Sequence, residues 1–351
     1  MNLCPVNLLH SNYLLELSQR VINPSLLSTE FDKIAFEIFG LHKAFNPVYA
    51  EWIRLLKIDT VNHLHEIPFL PVRFFKCQNI GLSAPKKQTE GIVFTSSTTT
   101  GSVPSKHQVP VPSLYENSFN TAFQHFYGSP SEMVILALLP GYLERDGSSL
   151  VYMVNTLIAS SGKPESGFYL NDFEGLAITL AKLLTQGQRV LLLGVSFGLL
   201  DFIESAAFKS QQFAQTDNLT VMETGGMKGH RKELTRMELH DTLKNAFGVK
   251  QIHSEYGMTE LLSQAYSAGE GLFECPPWMR ICIRETDNPF QVYDAPKTSV
   301  SGGINIIDLA NLFSCPFIAV DDIGKLHSDG KFEVLGRFDQ ADVRGCNLMI
   351  G

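Results

Sequence analysis

The chain has 351 residues, with 28 Lys and Arg against 36 Asp and Glu, a formal net charge of −8, 44% hydrophobic residues and 18% charged ones. That balance gives a chain able to bury a sizeable core and excludes a disordered polyelectrolyte. No run of basic residues exceeds a dipeptide such as Lys86-Lys87, which argues against nucleic acid as a main partner, because backbone binding needs clustered positive charge.

Cys4, Cys77, Cys275, Cys282, Cys315 and Cys346 are scattered without a CxxC pair. This argues against a zinc ribbon and suits reduced thiols in the cytoplasm. The start, MNLCPVNLLHSNYLLELSQR, lacks a basic segment followed by a long apolar run and makes a poor signal peptide. No stretch approaches the roughly 18 uninterrupted apolar residues of a membrane span. The expectation is a cytoplasmic, soluble protein.

The first ninety residues read as mainly helical. Phe31, Ile34, Ala35, Ile38 and Phe39 recur at i, i+3, i+4, i+7 and i+8, one face of a helix that Ser28 or Thr29 could cap. From about residue 91 short apolar strands alternate with helices. Gly91–Phe94 reads as a strand, Met133–Leu139 as a buried strand, Ser149–Ala159 as a helix, Arg189–Leu193 as a strand, and Asp201–Phe208 as a helix. Leu219–Met222 is a strand leading into Gly225-Gly226. Thr235 and Glu238 have capping-box spacing, and the helix they open is expected to end at Phe247 with Gly248 as a left-handed cap. Gln251–His253 then leads into Tyr256-Gly257. The last fifty residues read as β-structure, with Ser328-Asp329-Gly330 turning a hairpin between Lys325 and Phe332. This alternation predicts an α/β fold whose ligands bind at loops beyond strand C-termini.

Thr95-Ser96-Ser97-Thr98-Thr99-Thr100 puts six hydroxyls after a strand, followed by Gly101 and by Pro104-Ser105-Lys106-His107. Hydroxyls and exposed N–H groups can surround phosphate oxygens, and a lysine neutralises their charge. The Walker A pattern is absent, and a flexible Ser/Thr linker would look similar. Downstream, Ser254–Glu260 offers the ring of Tyr256 for adenine stacking, a tight Gly257, Thr259, and the Glu260 carboxylate for Mg²⁺. Asp322 could accept hydrogen bonds from two ribose hydroxyls, and Arg337 follows in Gly336-Arg337-Phe338-Asp339.

The ordered set FTSSTTTGSVPSKH, LPGYLERDGSSLVYM, METGGMKGHRKELTRMELH, SEYGMTELLSQAY and VLGRFDQADVRGCNLM resembles the adenylate-forming superfamily of acyl-CoA synthetases and luciferases. More narrowly, it resembles the acyl-protein synthetase (LuxE type) of bacterial fatty-acid reductase complexes. The resemblance covers essentially residues 91–350. It implies an ATP- and Mg²⁺-dependent ligase that converts a carboxylic acid, a long-chain fatty acid in the narrower family, to acyl-AMP. The acyl group then passes to a thiol and on to an acyl-accepting partner such as a reductase. Carried over, Thr95–Gly101 and Lys106 bind phosphates and Glu260 holds Mg²⁺. Tyr256 and the Gly225-Gly226 turn border the adenine and acyl pockets, and Gly257 and Thr259 belong with the nucleotide-binding residues. Asp322 binds ribose, and Arg337 approaches phosphate or ribose.

The implied architecture is the large N-terminal domain of the adenylate-forming fold, with layered α/β subdomains and β-structure near the C-terminus. Its expected parts are a helical segment over 1–90 packed on the core, an α/β core over 91–335, and a hinge-like segment over 336–351. The mobile lid of roughly a hundred residues found in general CoA ligases is expected to be absent. The family's loop usually has glycine where Thr98 stands, an atypical feature.

In Asp342-Val343-Arg344-Gly345-Cys346 an arginine beside the thiol would favour the thiolate. The LuxE resemblance makes Cys346 the acyl carrier, whereas without it a buried, inert cysteine would fit the same residues. Gly194-Val195-Ser196-Phe197-Gly198 also fits the nucleophile elbow of a serine hydrolase or acyltransferase, with His253 or His327 as base. The remaining alternatives are an acyl- or aryl-CoA ligase, against which the chain's short length counts, and a non-catalytic relic of the fold, against which Lys106, Glu260, Asp322 and Arg337 count. The apolar residues around 133–160 and 190–203 suit either a long-chain pocket or a core.

Overall fold

The apolar face read at Phe31, Ile34, Ala35, Ile38 and Phe39 folds as the helix Ser28–Phe45, and these side chains are buried. Neither Ser28 nor Thr29 caps it. The N-cap is Leu27, whose side chain has no acceptor for the first-turn N–H groups, and Glu30 reaches back to accept the Leu27 N–H at 3.4 Å, which is only the carboxylate half of a capping box. The computed structural model describes residues 11–83, 91–97, 103–140, 147–213, 217–225 and 234–338. Its contacts divide the chain into two units, one of Met1–Ser118, Thr259–Ser263 and Glu274–Gly351, the other of Phe119–Met258 and Gln264–Phe273.

The second unit is built on parallel strands. Gly167–Phe168, Val134–Leu138, Val190–Val195, Leu219–Thr224 and His253–Tyr256 lie side by side in that order, with Ala265–Ser267 antiparallel beside the last. Parallel neighbours need crossovers, and the helices Ser149–Ser161, Phe173–Thr185, Ser196–Glu204 and Arg236–Phe247 lie along those connections. Every residue of Val134–Leu138 and Val190–Val195 is buried, as strands covered on both faces require, so those apolar runs are core. The helix expected at Asp201–Phe208 begins earlier, at Ser196 directly after its strand, and breaks at Ser205. The Thr235–Glu238 capping box opens Arg236–Phe247, and Gly248 ends it at φ 66°.

The first unit is antiparallel. Its strands run Val292–Tyr293, Met279–Arg284, Val300–Asp308, Phe317–Leu326 and Phe332–Arg337, with Leu70–Pro71 parallel to Phe317–Leu326. The hairpin turn at Ser328–Gly330 is present, closed by the His327 N–H to the Lys331 carbonyl at 2.8 Å. A separate ribbon pairs Ile92–Thr95 with Lys106–Val109. The helix Ser28–Phe45 and the helix Pro47–Leu56 meet this sheet through Phe39, Tyr49 and Phe317, the last two stacked with centroids 5.9 Å apart. Among the described residues no helix is long and apolar enough to cross a membrane.

One buried polar pair anchors the 309–314 turn. His42 lies 2.9 Å from the Leu312 carbonyl, and Asn46 donates to the Ser314 carbonyl at 2.9 Å. Asn46 Nδ2 also lies 3.1 Å from His42 Nδ1, so His42 is the Nε2–H tautomer, giving its proton to Leu312 and accepting from Asn46. Burial holds the His42 pKa down to about 4, against the pull of the Leu312 carbonyl. A histidine neutral in the fold and protonated when unfolded destabilises the fold as pH falls through 6.5 toward 4. The stability gap between the protein and a His42→Gln variant should therefore narrow by roughly 3 kcal/mol over that window. Urea unfolding at stepped pH measures it, and a gap independent of pH would contradict this assignment.

Candidate active site

The ribbon sets Thr95 opposite Lys106. Ser96 and Ser105 close it beyond that pair, Ser96 N–H to the Ser105 carbonyl at 3.1 Å and Ser105 N–H to Ser96 Oγ at 2.9 Å. The hydroxyl-rich loop is thus the connection between two paired strands. Thr95, Ser96, Ser97 and Lys106 stand at its mouth, while Thr98, Thr99, Thr100 and Gly101 lie outside the described residues. Strand alternation exposes Lys106 and buries Ser105 and His107 on either side.

The buried neighbours of Lys106 lead to Glu260. The Ser105 hydroxyl hydrogen-bonds the Glu260 carboxylate, which is only 6% exposed. Burial pushes the Glu260 carboxyl above its usual range, and Ser105, the charges of Arg337 and Lys76, and its own backbone oppose that shift. His107 Nδ1 lies 2.7 Å from the Thr259 carbonyl, and Asn311 Nδ2 donates to the Glu260 carbonyl at 2.7 Å. Asp308 then fastens the next residues, accepting from Leu262 N–H at 2.8 Å, Ser263 N–H at 3.0 Å and Ser263 Oγ at 2.6 Å. Burial pushes the Asp308 carboxyl up to about 6 while these donors pull it down. Asp322 and Arg337 are direct cross-strand partners, with Nε 3.6 Å from Oδ1.

Lys106, Thr95, Thr259, Glu260, Asp322 and Arg337 therefore all belong to the first unit. Gly225, Tyr256 and Gly257 belong to the second. Gly225 turns the chain at φ 67° after Leu219–Thr224. Tyr256 sits edge-on to Phe273 at 5.9 Å. A Cβ at Gly257 would run into the Glu255 carboxylate and lie 3.3 Å from Gln264 Cγ, so a larger residue there would have to displace that carboxylate. Glu255, which takes the Thr224 hydroxyl, is pushed up to about 7 by burial. Gly226 and Cys346 lie outside the described residues.

Ser105, His107, Asp308 and Asn311 carry no sequence signal of their own for these roles. Ser105 and His107 are legible only through the alternation about Lys106. Asp308 and Asn311 act across 45 to 51 residues, beyond any local pattern.

Ser196 does not form an elbow of the hydrolase type. Its hydroxyl lies 3.1 Å from Glu223 Oε2 and 2.6 Å from the Gly225 carbonyl, both acceptors, and is buried. His240 lies on the other side of Glu223 at 3.5 Å, so the carboxylate stands between serine and histidine, where a triad needs histidine in the middle. His253 is engaged by Tyr127 at 3.2 Å, and His327 by Ser299 and Glu333 at 3.0 and 2.8 Å. The glycines have a packing reason. A Cβ at Gly194 would sit 2.9 Å from Leu199, and one at Gly198 3.1 Å from Pro140.

For a divalent cation the first unit offers the Glu260 carboxylate, and among the described residues no group of three or more His, Cys, Asp and Glu is placed to hold an ion. That donor set fits a Mg²⁺ that arrives on phosphates and needs one or two protein carboxylates.

Neither a protein-family model nor a curated protein sequence matches the chain. Solved structures do. An open conformation of 2-hydroxyisobutyryl-CoA ligase, in complex with 2-HIB-AMP and CoA, aligns with TM-score 0.62 and 12% identity over 89% of this chain and 71% of that one. ATP-bound MatB from Rhodopseudomonas palustris aligns with TM-score 0.51 and 16% identity over 70% of this chain and 47% of that one. The chain has the fold of the large N-terminal domain of adenylate-forming enzymes. A luciferase-like enzyme from the nonluminescent mealworm Zophobas morio shares it, with TM-score 0.50 and 14% identity over 73% of this chain and 59% of that one. The chain spans about half the length of MatB.

Within this adenylate-forming fold, the segment that carries Glu260 depends on Asp308. Asp308→Asn turns one acceptor oxygen into a donor facing N–H groups and should cost roughly 3 kcal/mol. A urea unfolding midpoint measures this, and a loss under about 0.5 kcal/mol, typical of a surface substitution, would contradict it.

Proposed function

We propose that the protein uses ATP to activate a carboxylic acid as its acyl adenylate. The observation that carries this reading is the grouping in one unit of an adenylate-forming fold. Glu260 is buried against Ser105, Arg337 is paired with Asp322, and Lys106 stands opposite Thr95 at the mouth of the hydroxyl loop. Two of the similar structures were solved with ATP or with an acyl adenylate bound.

In this reading the acid's carboxylate oxygen attacks the α-phosphorus, and the bond to the bridging oxygen breaks as pyrophosphate leaves with the electron pair. Lys106 and the hydroxyls of Thr95–Gly101 neutralise and orient the phosphate oxygens. Asp322 takes the ribose hydroxyls while its partner Arg337 stands over phosphate or ribose. Gly225, Gly226 and Tyr256 border the base and the acyl group, and Gly257 and Thr259 belong to the nucleotide-binding set. Glu260 holds Mg²⁺, which when bound supplies charge neutralisation to the phosphates. Positioning and electrostatics supply most of such catalysis.

The acceptor in this reading is the Cys346 thiol of an acyl-protein synthetase, with a long-chain fatty acid as substrate, an acyl-reductase as next partner and the cytoplasm as location. Of the described cysteines, Cys77 is exposed and is the other thiol open to acylation, while Cys275, Cys282 and Cys315 stand in contrast to it. Burial raises the thiol pKa of Cys275 and Cys282, and pushes Cys315 up to about 12, so none of these three is a ready nucleophile.

Exchange of labelled pyrophosphate into ATP, run with a panel of fatty and aromatic acids, tests the adenylation. Acid-dependent exchange is expected, and Lys106→Ala and Glu260→Ala should each lower it about 10²-fold. Cys346→Ser should spare exchange and abolish hydroxylamine-sensitive self-acylation. Exchange with no acid at all would overturn the function, and self-acylation surviving in Cys346→Ser would overturn the thiol.

A further inference from the structure

The bonds that hold the backbone of Thr259 and Glu260 leave three polar atoms with no partner, and all three line one small cavity. His107 Nε2, Asn311 Oδ1 and Ser314 Oγ are buried and make no hydrogen bond to the protein. The cavity they share is also lined by Gln108 and by apolar residues such as Val109, Leu114 and Leu262, and leaves about 10 Å³ open to the centre of a water molecule. That is room for one water and no more.

The chemistry of the three atoms is set by their other bonds. The Thr259 carbonyl only accepts, so the proton of the neutral His107 ring is on Nδ1 and Nε2 presents a lone pair. Burial holds the ring's pKa down to about 4 against Thr259 and Asn311, so near neutral pH Nε2 has no proton to give to Asn311. Asn311 spends an Nδ2 proton on the Glu260 carbonyl, so the atom facing the cavity is its acceptor oxygen. Two acceptors therefore face one another with a hydroxyl that can do either. Left unmet, each would carry the full cost of its desolvation. A single molecule with two O–H donors and a lone pair satisfies them together.

We propose that one structural water bridges His107 Nε2, Asn311 Oδ1 and Ser314 Oγ, and that this bridge makes His107 and Asn311 positioning residues for Glu260. His107 and Asn311 each hold a carbonyl of the Thr259-Glu260 pair, and the water couples the two side chains behind it. Neither residue touches substrate; both act by fixing where the Glu260 carboxylate stands. The catalytic consequence rests on the adenylation reading, and the water itself does not.

Three measurements test it. Long-range ¹⁵N NMR of the histidine-labelled protein at pH 7 should show His107 as the Nδ1–H tautomer with a hydrogen-bonded Nε2. Magnetic relaxation dispersion should count one fewer long-lived water in Ser314→Val, whose added methyl group fills the cavity without touching the bonds to Thr259 and Glu260. In pyrophosphate exchange, Asn311→Leu should raise the Mg²⁺ needed for half-maximal rate about tenfold, as losing a group that orients a metal ligand does. An Nε2–H tautomer, or an unchanged water count in folded Ser314→Val, overturns the bridge. An unchanged Mg²⁺ requirement in a folded Asn311→Leu overturns the positioning role. Absence of exchange in the unsubstituted protein overturns the adenylation reading instead, and the tautomer and water count still decide the bridge.

Discussion

The carboxylate of Asp308 is fully buried and spends both oxygens on the segment that follows Glu260 and on its own turn, taking Leu262 N–H, Ser263 N–H, Ser263 Oγ and, at 3.2 Å, Ala310 N–H. An irregular segment inside a core must have its backbone groups met, and one carboxylate meets two of them here. The Ser263 hydroxyl is in turn 3.0 Å from Ser118 and takes the Trp278 indole N–H at 3.0 Å, so the network is tied to the largest buried side chain of its unit. With His107 on Thr259 and Asn311 on Glu260, the stretch from 259 to 263 is held along most of its length. In low dielectric such a network is rigid when satisfied and costly when any member is missing.

The two units solve different problems. In the second, strands buried on both faces carry the structure by apolar packing, and the polar cluster of Ser196, Glu223, His240 and Ser254 satisfies itself inside it. Its order, serine to carboxylate to histidine, is that of a structural network. The first unit uses buried polar side chains to hold loops: His42 and Asn46 hold the 309–314 turn, and Asn311 from that turn holds Glu260. The ordinary packing of the helix Ser28–Phe45 thereby extends, bond by bond, to the backbone of Glu260, the residue on which the proposed chemistry depends.

Elements with a period were legible in the sequence. The helix face at Phe31–Phe39, the Thr235–Glu238 box, the Gly248 cap and the Ser328–Gly330 turn are local rules, and each is present in the structure. The cap expected at Ser28 or Thr29 failed because the helix begins one residue early, with Leu27 as N-cap, which puts both hydroxyls inside the first turn. The pairing of Asp322 with Arg337 does not follow from the turn alone, because the Leu326–Phe332 register would set Asp322 opposite Gly336 and an irregularity between Ile323 and Gly324 shifts it by one residue. The Gly-x-Ser-x-Gly pattern misled because its glycines answer to close packing of a helix on a strand, which imposes the same spacing as an elbow. Asp308 and Asn311 were invisible for a different reason, and of His107 the alternation about Lys106 showed the burial but not the partner. Their partners lie far along the chain, and a buried polar residue looks the same in sequence whether it meets a carbonyl or points at water.

The account stands on Glu260 being fixed so that ATP binds with its cation. Calorimetric titration of ATP, with and without Mg²⁺, into the protein and into Glu260→Gln tests this most directly. The account predicts that Mg²⁺ strengthens binding to the protein about tenfold or more and that Glu260→Gln loses that gain while still binding ATP alone. Equal affinity with and without Mg²⁺, or a Mg²⁺ gain that persists in Glu260→Gln, would contradict it.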